Sequence, residues 1–238
     1  MINRVICLVI GYAFGCILSA PIASKLLNNA NIFQLGSKNP GMANVACEVG
    51  GKAALATFIG DAVKVIIATL ICRALFPAAD FPILALWVGL GTTLGHDFPF
   101  WHKFEGGMGV MTTCTAFILA NPLLGIISVA LGGVGTIFTQ YLGVGAVIIC
   151  LAYVAGCLIM GQAEAAYVSL LLTILMFYAH REQLRQIPSG TAEKFDVIQA
   201  IEPVFASRKT RRPHGGTAAR TNAPCTRTRQ NSARRSSR

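Results

Sequence analysis

Charged side chains are what this chain has little of. Asp, Glu, Lys and Arg together make up 13% of its 238 residues, where a soluble domain usually carries about 25%. The apolar residues, 54% of the total, are gathered into runs. An ordinary water-soluble domain is thereby excluded and an all-α, polytopic integral membrane protein is implied. Any Cys-x-x-Cys pair is also lacking. The eight cysteines stand singly, and most fall inside apolar runs as small packing residues. Structural zinc, haem attachment and thioredoxin-type chemistry therefore have no support. No secretory leader is evident, because the first apolar run is too long for a signal-peptide core and is preceded by one cation, Arg4. Nor is there an internal repeat or the inverted duplication common in transporters.

Acids are missing altogether beyond Ser207. The formal net charge of +10 sits wholly in that last stretch, since the ten cations before it balance the ten acids. Rich in Arg, Ser, Thr, Pro and Gly, the stretch cannot bury a core and is expected to be disordered. The chain thus divides into a membrane domain, 1–206, and a polybasic tail, 207–238. The tail has no aromatic residues to stack on bases, so nucleic acid is not an expected partner. Anionic lipid headgroups are, at roughly 1 kcal/mol per cation close to the surface.

What is present is a series of apolar segments near 5–27, 52–75, 81–94, 110–120, 123–138, 142–160 and 165–178. They predict seven transmembrane helices, with six the alternative count if Gly132, Gly133 and Gly135 break the fifth differently. Gly11 and Gly15 form a small-xxx-small packing face in the first segment, and Pro21 is expected to kink it. Asn121-Pro122 and Gln140-Tyr141 mark breaks. Seven crossings gather Lys25, Lys38, Lys52, Lys103, Arg181, Arg185, Lys194 and the tail on one side, with Arg4, Arg73, Asp80 and Glu164 on or near the other. The positive-inside rule makes the first side cytoplasmic, with the C-terminus there and the N-terminus outside.

Three polar stretches fall on that cytoplasmic side. The stretch 95–109 reads Gly-His-Asp-Phe-Pro-Phe-Trp-His-Lys-Phe-Glu-Gly-Gly-Met-Gly. Polar groups wedged between membrane helices are costly and usually mark a site. Gly106, Gly107 and Gly109 permit close backbone approach, and exposed N–H groups at such a turn suit phosphate or carboxylate. An interfacial loop with aromatic anchors would read the same way. In the loop 28–51, Ser37, Lys38, Asn39 and Asn44 are ligand-capable, although Asn-Pro-Gly is also ordinary turn chemistry. In the third stretch His180 is a candidate proton acceptor, or else an interfacial residue at a helix end, and Arg181 and Arg185 could hold phosphate or headgroups. Asp61 and Lys64, three apart, share one helix face and can pair, either as a functional couple or as a lock between helices.

Together these stretches resemble the bacterial membrane family of acyl-phosphate-dependent glycerol-3-phosphate acyltransferases, over residues 5–194. The family's Ser-Gly-Asn-x-Gly-Ala-Thr-Asn-Val-x-Arg is matched by Ser37-Lys-Asn-Pro-Gly-Met-Ala-Asn-Val-Ala-Cys47. Its Gly-His-x-Phe-Pro-Val-Phe, followed by Phe-Lys-Gly-Gly-Lys-Gly-Val, is matched by Gly95-His-Asp-Phe-Pro-Phe-Trp101 and Phe104-Glu-Gly-Gly-Met-Gly-Val110. Its His-Arg-Glu-Asn and Gly-Thr-Glu-x-Lys are matched by His180-Arg-Glu-Gln183 and Gly190-Thr-Ala-Glu-Lys194. Asp61-x-x-Lys64 also fits the family's second helix.

The resemblance implies a multi-pass enzyme of the bacterial cell membrane. It would move an acyl group from acyl phosphate to glycerol 3-phosphate, giving lysophosphatidic acid for phospholipid synthesis, with no metal or nucleotide cofactor. His180 would serve as catalytic base, backbone N–H groups of Gly106 and Gly107 would stabilise the oxyanion, and Ser37, Lys38, Asn39, Asn44, His96, Gly109 and Gln183 would bind substrate. The departures are concentrated where phosphate is held. Ala43, Cys47, Glu105, Met108 and Gln183 stand where the family has Thr, Arg, Lys, Lys and Asn, and Lys38 returns one cation. Charge-assisted bonds are worth roughly 1.5–3 kcal/mol each. A catalytically drifted paralogue that binds a lipid precursor or acts as a scaffold is therefore the alternative expectation.

Overall fold

The computed structural model describes residues 1–192 and 194, and the tail 207–238 lies outside the described residues. Among them every regular element is helical. In chain order these are α1 (Ile2–Gly15), α2 (Ser19–Asn28), α3 (Met42–Glu48), α4 (Gly51–Leu75), α5 (Phe81–Asp97), α6 (Val110–Ala120), α7 (Pro122–Thr139), α8 (Leu142–Ile159) and α9 (Ala163–Gln186). Single 3-10 turns cover Ile32–Gln34 and Phe100–His102.

All seven apolar segments form helices. Five stretches are long and apolar enough to cross a bilayer by themselves: Ile2–Asn28, α4, α7, α8 and α9. The 17 residues of α5 and the 11 of α6 are shorter. At 1.5 Å per residue α6 covers only roughly 16 Å of a hydrocarbon layer about 30 Å thick. The segment 98–109 joins these two short helices.

The first crossing is broken, but not by Pro21. The break lies at residues 16–18, between α1 and α2, with Leu18 extended at φ −82° and ψ 117°. Pro21 sits in the first turn of α2, where a missing N–H has no helical acceptor to lose. Gly132, Gly133 and Gly135, which left open the alternative of a different break, lie within an α7 that is continuous through Thr139. Asn121 starts it by accepting a hydrogen bond from the Leu124 N–H at 3.1 Å. Gln140, left-handed at φ 62°, ends it.

Lipid offers no hydrophobic drive between helices, so close backbone contact carries the packing. The small-xxx-small face of α1 is met by one on α5. A Cβ on Gly11 or Gly15 would strike the α5 backbone at Val88 or Thr92, and one on Gly91 or Gly95 would strike the α1 backbone at Leu8 or Tyr12. The main core lies among α5, α6, α8 and α9, where the Phe117 and Tyr153 rings stack at 3.8 Å. The two ends of the bundle differ. At one, Arg4 pairs with Glu164, which also accepts from the Trp87 indole at 3.1 Å. At the other the polar stretches meet, with Phe33 stacked on His102 at 4.0 Å and Phe98 against Tyr178 at 5.8 Å.

Candidate active site

At the polar end a groove of about 350 Å³ opens between α4, α6, α7 and α8, with the N-terminus of α3 at its rim. Its polar lining comes from Asn39, Asp61, His96 and Thr136. The other lining side chains are mostly apolar, and along α7 they run from Ile137 to Val129, roughly 12 Å at 1.5 Å per residue. Cys114, Val129 and Ile149 belong to the same lining. Such a space fits a molecule with one polar head and one alkyl tail.

The loop before α3 is shaped by Asn44. Its carboxamide oxygen accepts from the Ser37 N–H at 3.2 Å, and its NH₂ donates to the carbonyls of Leu35 and Asn39 at 3.0 Å each. Gly36 at φ 51° and Lys38 at φ 60° make the left-handed bends this loop requires. Asn44 therefore holds the loop in shape beside the groove. Asn39 lines the groove, and its buried Oδ1 has no partner among the described residues. Ser37 and Lys38 are exposed beside it in the chain.

His96 and Asp97 end α5 rather than belonging to a loop. His96 is 4% exposed and lines the groove. Its Nδ1 lies 2.9 Å from the Lys64 ammonium, and Asp61, the counter-ion of Lys64 at 2.9 Å, lies 3.8 Å from the same nitrogen. The expected Asp61–Lys64 pair is thus present and serves both readings. Asp61 reaches the groove, while Lys64 also donates to the Ile17 and Gly15 carbonyls at 3.2 and 3.5 Å, closing the break between α1 and α2. Trp101 closes the same break, donating its indole N–H to the Cys16 carbonyl at 2.7 Å.

The glycines after Glu105 do other work than expected. The N–H of Gly106 donates to Asp97 and that of Gly107 to His96, each at 2.9 Å to the carbonyl oxygen. Both are engaged by the fold and do not form an open oxyanion hole. What the glycines supply is room. A Cβ on Gly107 would overlap the His96 imidazole, and one on Gly109, at φ 62°, would overlap Thr93 and lie 2.8 Å from the Asp97 carboxylate. That carboxylate is buried, with neither oxygen hydrogen-bonded among the described residues. The sequence held no signal for it, because Asp97 stands at the motif's unspecified position.

His180 is fully buried and does not line the groove. Its Nδ1 pairs with the Met176 carbonyl at 3.1 Å, and its Nε2 has no partner among the described residues. Nearby, Gln183 accepts from the Gly143 N–H at 3.0 Å, so α9 closes over the N-terminus of α8. The structure therefore brings Asn39, His96 and Gly109 together in the groove, and places His180 with Gln183 in a second cluster at Gly143. Sequence reasoning missed Gly143 and Thr136. A Cβ on Gly143 would lie 2.6 Å from the Gln183 oxygen and 3.0 Å from the His180 ring, and Thr136 is a groove-lining hydroxyl within an apolar run.

Comparison with known proteins gives one consistent result. The family model for glycerol-3-phosphate acyltransferase matches residues 5–190. A glycerol-3-phosphate acyltransferase of Thermoanaerobacter sp. (strain X514) is 32% identical over 187 residues, covering 78% of this chain and 92% of that protein. Glycerol-3-phosphate acyltransferase 1 of Lactobacillus johnsonii is 30% identical over 200 residues, covering 84% and 96%. The fold is similar to the crystal structure of PlsY (YgiH), an integral membrane glycerol 3-phosphate acyltransferase, in its glycerol 3-phosphate form. There the TM-score is 0.72 at 23% identity, over 83% of this chain and 98% of that one. The motifs, the helical membrane fold and these relatives agree, and the chain belongs to the glycerol-3-phosphate acyltransferase family.

Proposed function

We propose that this protein transfers an acyl group to the 1-hydroxyl of glycerol 3-phosphate, forming lysophosphatidic acid, with an acyl phosphate as donor and inorganic phosphate as the leaving group. The observation that carries the donor reading is the groove, whose few polar groups and long apolar wall match an alkyl chain with a small charged head. In this reading the chain lies along α7 and the head rests by Asn39, His96 and Gly109. Holding donor and acceptor together replaces a bimolecular encounter and supplies much of the rate. Lys38, exposed next to Asn39, is the cation nearest in sequence for the acceptor's phosphate. His180, with an Nε2 unpartnered among the described residues, is the group to receive the hydroxyl proton once the acceptor reaches the cluster at Gly143. The polar end of the bundle faces the cytoplasm in this arrangement, with the N-terminus outside.

The test is lysophosphatidic acid formation in membranes containing the full chain, with palmitoyl phosphate or a palmitoyl thioester as donor, beside His180→Ala. Product from palmitoyl phosphate alone, lost in His180→Ala, is the expected result. Product from the thioester alone would overturn the donor, and no product from either would overturn the activity. Restoring Cys47→Arg, Glu105→Lys and Met108→Lys together would then show whether those replacements had removed it.

A further inference from the structure

Lys64 has three N–H donors and no lone pair. Three acceptors stand around its ammonium: the Gly15 carbonyl at 3.5 Å, the Ile17 carbonyl at 3.2 Å and His96 Nδ1 at 2.9 Å. Asp61 lies beside it as counter-ion, its Oδ1 2.9 Å away. His96 Nδ1 can only accept from an ammonium. A proton on Nδ1 would point at three others with nothing to receive it, and the Asp61 oxygen, at 3.8 Å, is beyond hydrogen-bond reach. The neutral imidazole has one N–H, so that proton belongs on Nε2. Nε2 lies on the ring edge for which Gly107 leaves space, and the residue lines the groove.

We infer that Lys64 is a positioning residue that fixes His96 in its Nε2–H form, making His96 a hydrogen-bond donor to an oxygen of the acyl donor's head and denying it the role of base. Identifying that ligand rests on the proposed function, whereas the tautomer does not. The division of labour is chemical. One histidine, His96, offers a proton in a hydrogen bond without releasing it. The other, His180, pairs its Nδ1 with a carbonyl and leaves Nε2 bare among the described residues. The two imidazoles present opposite faces because one meets an ammonium and the other a carbonyl. A donor held against an oxygen that gains charge in acyl transfer is a recurrent source of rate, typically 10²–10³-fold.

The direct test is nitrogen NMR of the full chain, labelled with ¹⁵N-histidine, in lipid nanodiscs. The His96 signals are identified by their loss in His96→Gln. The expected spectrum has Nδ1 at the bare, unprotonated position and Nε2 carrying the proton. A protonated Nδ1, or an imidazolium, overturns the inference whether or not the protein turns over acyl phosphate. The second test is kinetic and separates a donor from a spacer. His96→Gln places an amide N–H near the position of Nε2, whereas His96→Asn reaches only that of Nδ1. With acyl phosphate as donor, His96→Gln should keep kcat within about tenfold and His96→Asn should lose about 100-fold. Equal losses would overturn the donor role. Lys64→Met should lower kcat and return the His96 signals to a mixture of tautomers. An unchanged Nε2–H signal in a folded Lys64→Met would overturn the part assigned to Lys64. If the wild-type protein shows no turnover, the NMR result still decides the tautomer, and it is the activity reading that fails.

Discussion

A single methyl group decides much at this site. Gly107→Ala puts a Cβ onto the His96 ring, and the ring cannot retreat because Lys64 holds its other edge. Overpacking of this kind costs typically 1–3 kcal/mol. Gly107→Ala should therefore retain the helical spectrum but lose about tenfold or more in kcat, measured as lysophosphatidic acid formation. Gly109→Ala adds the left-handed strain of φ 62° to a clash with Thr93, about 1–2 kcal/mol more, and should lower the thermal midpoint as well as the rate. Lys38 calls for a different readout. Exposed and next to Asn39, it contributes charge and no packing, so Lys38→Met should raise KM for glycerol 3-phosphate by about 10-fold or more and leave the midpoint unchanged. These residues were legible in the sequence because glycine, histidine and lysine are conspicuous between apolar runs. Their partners were not. That the N–H groups of Gly106 and Gly107 are bound to the end of α5, and that Asn44 is spent on its own loop, depends on how the chain folds back, which spacing does not record.

At the scale of elements, the seam between α1 and α5 offers the sharpest prediction. Its glycines meet backbone to backbone from both sides, so there is no flexible side chain to give way. Gly91→Leu should separate the helices and destabilise the protein by several times the effect of Ile10→Leu, a volume-conserving change on the same helix pair. Detergent-melting midpoints would show it, and equal midpoints would count against the seam. The sequence showed every one of these helices, because membrane-grade apolar runs are the strongest periodic signal a chain can carry. It did not show where the first would break. Pro21 drew the eye, yet the chain opens at 16–18, where Lys64 and Trp101 can satisfy the carbonyls. The cause of the break lies 47 and 85 residues away.

For the whole molecule, the contrast between the two ends of the bundle matters most. Arg4, Trp87 and Glu164 tie one end together, and Arg4→Ala should loosen that end without changing KM for either substrate, since the groove opens at the other. Removing the residues after Ala206 should leave membrane insertion and the melting midpoint of the helical domain unaltered, and loss of stable insertion would refute that division of the chain. Composition alone suggested the division, because a stretch without acids or apolar runs has nothing to pack. The groove itself was not legible. It lies among α4, α6, α7 and α8, where α6 is short and α7 turns back after a single residue, a space that no motif names.

The broken first crossing has a consequence for the order in which the protein is made. Carbonyls 15 to 17 leave their helix in a place without water. The side chains that donate to them belong to residues 64 and 101, which are synthesised after the first crossing. Until residue 64 is synthesised the first segment must stay a continuous helix or remain at the wet margin of the translocon, and until residue 101 arrives the opening is only half closed. Closure of the opening after Gly15 therefore waits for residues 64 and 101 and goes with assembly of the polar end of the bundle.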